Sequence, residues 1–167
     1  MAVQAAADSR DDATGLPGPP RSAATTMMAA MTNGETMEDL IGYARAQGAG
    51  GYPVDEVRAC VCKDCGGQVF GLRGDLPQQA VRRDCRGCEG THFIAGSGEH
   101  FQDDSVALMG CDCGSDDFNL AVGFALTRRR DAVRALAVTS RCVACGRLGY
   151  WDDRLVHDGG TELLDLA

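Results

Sequence analysis

This chain is poor in the residues that build large hydrophobic cores. Its 167 residues include one Trp, three Tyr and five Phe, so aromatics make up 5%, while Gly fills 22 positions. A fold held by apolar burial alone is hard to assemble from so little, and small thin-cored domains usually lean on disulfides or a metal. Long apolar runs are also missing. Nothing approaches the roughly 20 residues that span a bilayer, which argues against a membrane protein. The N-terminus lacks a basic segment followed by an apolar stretch, so no secretory signal is read. A cytoplasmic chain meets a reducing milieu in which disulfides rarely persist. Positive charge is scarce: 16 Lys and Arg face 24 Asp and Glu, for a formal charge of −8. Such a surface repels phosphate backbones and disfavours non-specific nucleic-acid binding. No Gly-x-Ser-x-Gly elbow, Walker loop, dinucleotide fingerprint or zinc-deaminase signature occurs.

What the chain does have is cysteine. All nine lie between Cys60 and Cys145, and eight form close pairs: Cys62 with Cys65, Cys85 with Cys88, Cys111 with Cys113, and Cys142 with Cys145. That makes two tandem sets of four thiolates. A tetrahedral Zn²⁺ takes four thiolates at about 2.3 Å, and short chains supply them in pairs on tight turns. The 19 residues separating Cys65 from Cys85 fit the C-x2-C spacing of such sites. Nine thiols for eight places leave one over. Cys62-Lys63-Asp64-Cys65 has the two-residue gap of a metal knuckle, so Cys62 is the expected ligand and Cys60 the spare. Gly66 and Gly114, just after Cys65 and Cys113, permit the left-handed residue that closes such a turn. The pair Cys111 and Cys113 has one intervening residue, a tighter turn that still permits chelation. Reactive C-x-x-C dithiols open helices, whereas these pairs precede strands.

The chain also repeats itself. Phe70 follows Cys65 by five residues and Phe118 follows Cys113 by five; Phe93 and Tyr150 stand at the same offset after Cys88 and Cys145. Each unit reads knuckle, hairpin, knuckle, closing strand. The first hairpin runs from about 68 to 84, with Gly74-Asp75-Leu76-Pro77 as its turn. The second is nine residues longer between ligands. In it Phe118, Leu120, Val122, Phe124 and Leu126 alternate with Asn119, Ala121, Gly123 and Ala125, a period of two. The return strand, 132–140, is apolar on both faces in its latter half. One face then packs on its own ribbon and the other on a neighbour.

Over residues 60–155 this pattern resembles the zinc ribbons, small β domains in which two cysteine knuckles clamp one Zn²⁺. The resemblance implies two four-cysteine zinc sites on three-stranded units. It selects no function, because zinc ribbons serve as nucleic-acid readers, docking modules and structural insertions alike.

Around the ribbons, 1–33 reads as a disordered leader rich in Ala, Asp, Gly and Pro. Residues 34–59 hold a short helix, about 35–47, and a linker. Thr36 and Asp39 form a capping arrangement, Met37, Leu40, Ile41 and Ala44 share one face, and Gly48 to Pro53 end the helix. The first ribbon spans 60–105, the second 106–157, and 158–167 is a tail in which Leu163, Leu164 and Leu166 form a brief helix or edge segment. The fold class is thus mainly β, with two ribbons, a short N-terminal helix and a leader.

Other residues are weaker candidates. Four thiolates close the metal shell, so the sites read as structural. His92, near Cys88, reads as a residue packed outside the ligand sphere, and His100 and His157 as surface groups. Ser97 lies in Gly96-Ser97-Gly98 without a catalytic context. Arg128, Arg129 and Arg130 sit at the tip of the second hairpin, where they keep the edge soluble or contact an anion. Trp151 reads as cover for the second site. The expected protein is therefore a cytoplasmic, non-enzymatic zinc protein with two Zn²⁺, working as a protein-interaction or regulatory module. Two alternatives stand beside it: a nucleic-acid binder using the Arg128–Arg130 tip, and a thiol sensor in which oxidation releases zinc, with Cys60 as the free thiol.

Overall fold

The structure is a computed structural model that describes residues 33–75 and 77–167; the leader expected over 1–33 lies, but for Asn33, outside them. The described residues are mainly β, with one α-helix and two clusters of four cysteines. The helix α1 spans Met37–Gln47. Thr36 caps it: its hydroxyl accepts from the Asp39 amide at 3.2 Å, while the Asp39 carboxylate accepts from the Thr36 and Glu35 amides at 2.9 and 2.8 Å. Two amides that a helix start would leave bare are thereby satisfied.

Eight strands follow: β1 (Glu56–Ala59), β2 (Phe70–Asp75), β3 (Ala80–Cys85), β4 (Thr91–Phe93), β5 (Val106–Met109), β6 (Phe118–Leu126), β7 (Ala132–Cys142) and β8 (Leu148–Gly160). Antiparallel β2, β3 and β4 form the first ribbon, and β6, β7 and β8 the second. The tail forms a 3₁₀ segment, Thr161–Leu166, which is the helical one of the two forms expected for it.

The ribbons share one sheet, in the order β4-β3-β2-β6-β7-β8. They meet where Phe70 pairs with Phe118, the equivalent residues of the two repeats. The short strands that precede each first knuckle are exchanged. β1 leads the first ribbon yet pairs with β6 of the second, Ala59 opposite Ala121. β5 leads the second ribbon yet pairs with β2 of the first, Met109 opposite Leu72. This reciprocity is what a two-fold relation between like halves produces, here within one chain.

Alternation along β6 decides how the layers stack. Leu120, Val122 and Phe124 are fully buried in the main core with Phe70, Leu72, Leu136 and Val138. The opposite face carries Ala121, Gly123 and Ala125. Small residues there let α1 and the loop after it lie close, with Leu40 against Ala121, and Ala49 against Ala125, Ala135 and Ala137. A Cβ on Gly123 would stand 3.0 Å from Val54. Burial of β7 on both faces follows, since residues 135–140 are all buried. One scarce-aromatic core thus draws on both halves, which raises the fraction of surface a small chain can bury.

Candidate metal centres

Four tight turns build the two centres, and they share one hydrogen-bond plan. In the first knuckle the Cys62 amide donates to Gly67 O at 2.8 Å and the Gly66 amide to Cys62 O at 2.9 Å. The same two bonds recur at Cys85, from its amide to Gly90 O and from Glu89 to Cys85 O, and at Cys142, with Arg147 O and the Gly146 amide. At Cys111 each loop is one residue shorter, its amide reaching Ser115 O and Gly114 reaching Cys111 O. The one-residue gap between Cys111 and Cys113 thus keeps the turn and shortens it. The residue after each second cysteine has positive φ: Gly66 at 74°, Glu89 at 60°, Gly114 at 89° and Gly146 at 74°. Glycine adopts that region freely and Glu does not.

The turns bring Cys62, Cys65, Cys85 and Cys88 together, and likewise Cys111, Cys113, Cys142 and Cys145, with all sulfurs of a set within 4.8 Å of one another. Sulfur–sulfur distances are 3.5 Å for Cys62–Cys88 and Cys65–Cys85. They are 3.6 Å for Cys111–Cys145 and Cys113–Cys142. The edge of a tetrahedron with 2.3 Å Zn–S bonds is about 3.8 Å, so both sets fit a tetrahedral metal closely. Cys62, Cys85 and Cys142 are buried, while Cys65, Cys88, Cys113 and Cys145 are exposed. Each centre therefore faces the core on one side and solvent on the other.

Backbone amides prepare the sulfurs for negative charge. Gly67 and Gly87 amides lie 3.4 and 3.3 Å from the Cys65 and Cys85 sulfurs. Burial pushes the Cys85 thiol up, but the Gly87 and Cys88 amides and the sulfurs of Cys65 and Cys62 outweigh it and bring it down to about 7. Burial likewise opposes ionisation of Cys142, and the Cys145 and Ala144 amides overcome it, giving about 7. The partners move the other way. The Gly90 amide favours the Cys88 thiolate, yet the Cys65 and Cys62 sulfurs push its pKa up to about 12. At Cys111 the Cys113 amide favours the thiolate, whereas burial and the Cys113, Cys145 and Cys142 sulfurs raise it to about 12. Crowded sulfurs cannot all ionise without a cation among them, and a bound divalent metal removes that conflict.

Cys60 lies in neither cluster. It is fully buried, and burial raises its thiol to about 11 although Arg83 beside it pulls the other way. That placement removes the exposure and thiolate character a sensing thiol needs. His92 sits at the first centre, its Nε2 3.4 Å from Cys62 Sγ and 3.3 Å from Asp64 Oδ2. One nitrogen thus faces both the sulfur and the carboxylate, and Cys62, Asp64 and His92 form a further group whose ligand atoms lie within 4.8 Å of one another. His100 is exposed, and the side chain of His157 lies outside the description. Ser97 is buried and clips a 3₁₀ segment to β3, donating to Val81 O at 3.0 Å and accepting from the Val81 amide at 3.1 Å. Trp151 packs edge-on to Phe118 at 5.5 Å and donates to Ser140. It also lines a small cavity with Cys111.

Arg128, Arg129 and Arg130 are exposed at the β6–β7 tip. Arg130 is spoken for, with Asp55 at 3.1 Å and Glu56 at 3.2 Å. Arg128 and Arg129 have no ion-pair partner among the described residues. One buried cation escapes the sequence reading. Arg83 is 1% exposed and lies over the Phe70 ring at 5.0 Å. Its signal is the period of two, since Arg83 stands two residues before the buried Cys85 and so faces inward with it. Comparison with family models, characterised proteins and solved structures gives no significant match.

Proposed function

We propose that the two cysteine sets hold structural Zn²⁺ and that the sheet they brace serves as a rigid platform for a protein partner. The observation that carries the reading is the pair of tetrathiolate sets with sulfurs 3.5–3.6 Å apart. Four thiolates complete the shell and leave no position for a substrate. Zinc suits sulfur ligands without redox chemistry, and a reducing compartment such as the cytoplasm keeps them available. Filling both sites takes the formal charge from −8 to about −12. A partner surface of opposite charge, or one that covers apolar knuckle residues, is then favoured. Val61, just before the Cys62–Cys65 turn, and Val143, within the Cys142–Cys145 turn, supply such residues, each about two-fifths exposed.

Val61→Asp and Val143→Asp test the reading, since both positions are exposed. Capture of one defined protein by the zinc-loaded chain, lost in these variants with zinc content unchanged, is the expected outcome. Capture that ignores both variants contradicts it. Arg128 and Arg129 favour a second reading, contact with nucleic acid. Under that reading binding falls steeply with salt and is lost in an Arg128→Glu, Arg129→Glu variant.

A further inference from the structure

The fully buried Arg83 sits at a cavity of about 230 Å³ lined by Lys63, Arg83, Thr91, His92, Phe93 and Leu166. Its guanidinium Nε and Nη1 have no hydrogen-bond partner among the described residues. A guanidinium cannot shed its proton; the Cys60 thiol beside it stays neutral and supplies no compensating charge, so leaving these two nitrogens buried without an acceptor is costly and calls for an anion. The cross-strand register explains the grouping. Arg83 on β3 lies opposite His92 on β4, and the first knuckle brings in Lys63. Lys63 and Thr91 are exposed while Arg83 is buried, so the cavity runs from a wet rim carrying an ammonium to an enclosed guanidinium. A filled first centre beside it bears a net charge of about −2, which balances Arg83 and Lys63 as charges. It does not give the Nε and Nη1 hydrogens an acceptor.

We infer that this cavity binds a small oxyanion, phosphate or a carboxylate group, with Arg83 as the buried fork and Lys63 as the rim cation. Arg presents paired donors in the geometry such groups accept. Thr91 adds a hydroxyl at the rim. The cavity has the volume of several waters at about 30 Å³ each, enough for the anion and its remaining hydration. The site is separate from the proposed protein platform and does not depend on it.

Lys63 is the only lysine in the chain, which gives the test a single side-chain reporter, distinct from the labelled α-amine. The zinc-loaded full chain is reductively methylated with a ¹³C label, and the Lys63 signal is followed during titration with inorganic phosphate, and separately acetate, at constant ionic strength. A saturable shift of that signal is expected, together with slower acylation of Lys63 in unlabelled protein. Lys63→Gln, a substitution at an exposed position, weakens phosphate binding about tenfold when read by calorimetry, as loss of one charged hydrogen bond implies. Arg83→Met abolishes saturable binding; should it fail to fold, the Lys63→Gln result stands alone. A Lys63 signal that moves only in proportion to added salt overturns the inference. So does phosphate affinity left unchanged in Lys63→Gln, or lost instead in an Arg128→Ala, Arg129→Ala variant.

Discussion

Phe118→Ala tests whether the two ribbons are one folding unit. Phe118 is 1% exposed, pairs across the seam with Phe70 and on the other side with Cys142, and packs on Trp151. A Phe of this kind buries roughly 150–250 Å², and at about 25 cal/mol per Å² that is worth about 4–6 kcal/mol. Extended-chain references overstate burial, and core Phe→Ala changes usually cost about 3–5 kcal/mol, so about 4 kcal/mol is the working figure. It is a large share of the roughly 5–15 kcal/mol that stabilises a domain. With a urea slope of about 2 kcal/mol per M, the midpoint falls by about 2 M. The assay is urea unfolding of zinc-loaded protein, followed by Trp151 fluorescence for the second half and by amide resonances of β2 and β3 for the first. Because β1 and β5 are exchanged, both reporters should fall together, in one transition. A Trp151 curve that shifts by about 2 M while the β2 and β3 signals keep their original midpoint would refute the single-unit reasoning.

Glu89→Gly removes a non-glycine residue from positive φ and should stabilise the chain by about 1 kcal/mol, seen as a higher midpoint in the same titration. Gly123→Val presses new atoms on Val54 and should cost about 1–3 kcal/mol by overpacking, with α1 loosened in amide exchange. Cys60→Ala should leave the zinc content of the wild type, whereas Cys62→Ser should lose the metal of the first centre; metal analysis separates them. Asp39 ionises below its ordinary value of 3.8 because the Thr36 and Glu35 amides and the Thr36 hydroxyl donate to it. A value lower in the folded than in the unfolded chain means that the cap's contribution is complete above 3.8 and drains as the pH falls through the lowered value. Asp39→Asn should therefore lose stability near neutral pH and converge with the wild type at low pH, as thermal melts from pH 7 downward would record.

Much of this architecture is legible in the cysteines and the alternation. The four pairs, the equal offsets from Cys65 to Phe70 and from Cys113 to Phe118, and the period-two run of β6 point to two hairpins clamped at knuckles. Thr36 and Asp39 mark the helix start because capping is local chemistry. The exchange of β1 and β5 is not legible. Four-residue strands carry too few residues for their partners to be read, and pairing at long range depends on which edge lies open. The packing of α1 on the second ribbon is hinted at by Ala121, Gly123 and Ala125, which read as a bland face until a helix needs to approach. Arg83 hides because its neighbour Arg82 makes the pair look like surface charge. Arg82 does pair with Asp84 and Asp103, and only strand phase separates the two.

Stripping the metal tests the central claim most directly. Purified chain should carry one Zn²⁺ for each of the two cysteine sets, and a strong chelator should abolish the strand signal in circular dichroism and the Trp151 emission of the folded state, both returning when zinc is restored. A metal-free chain that keeps its dichroism spectrum and its melting temperature would contradict the account.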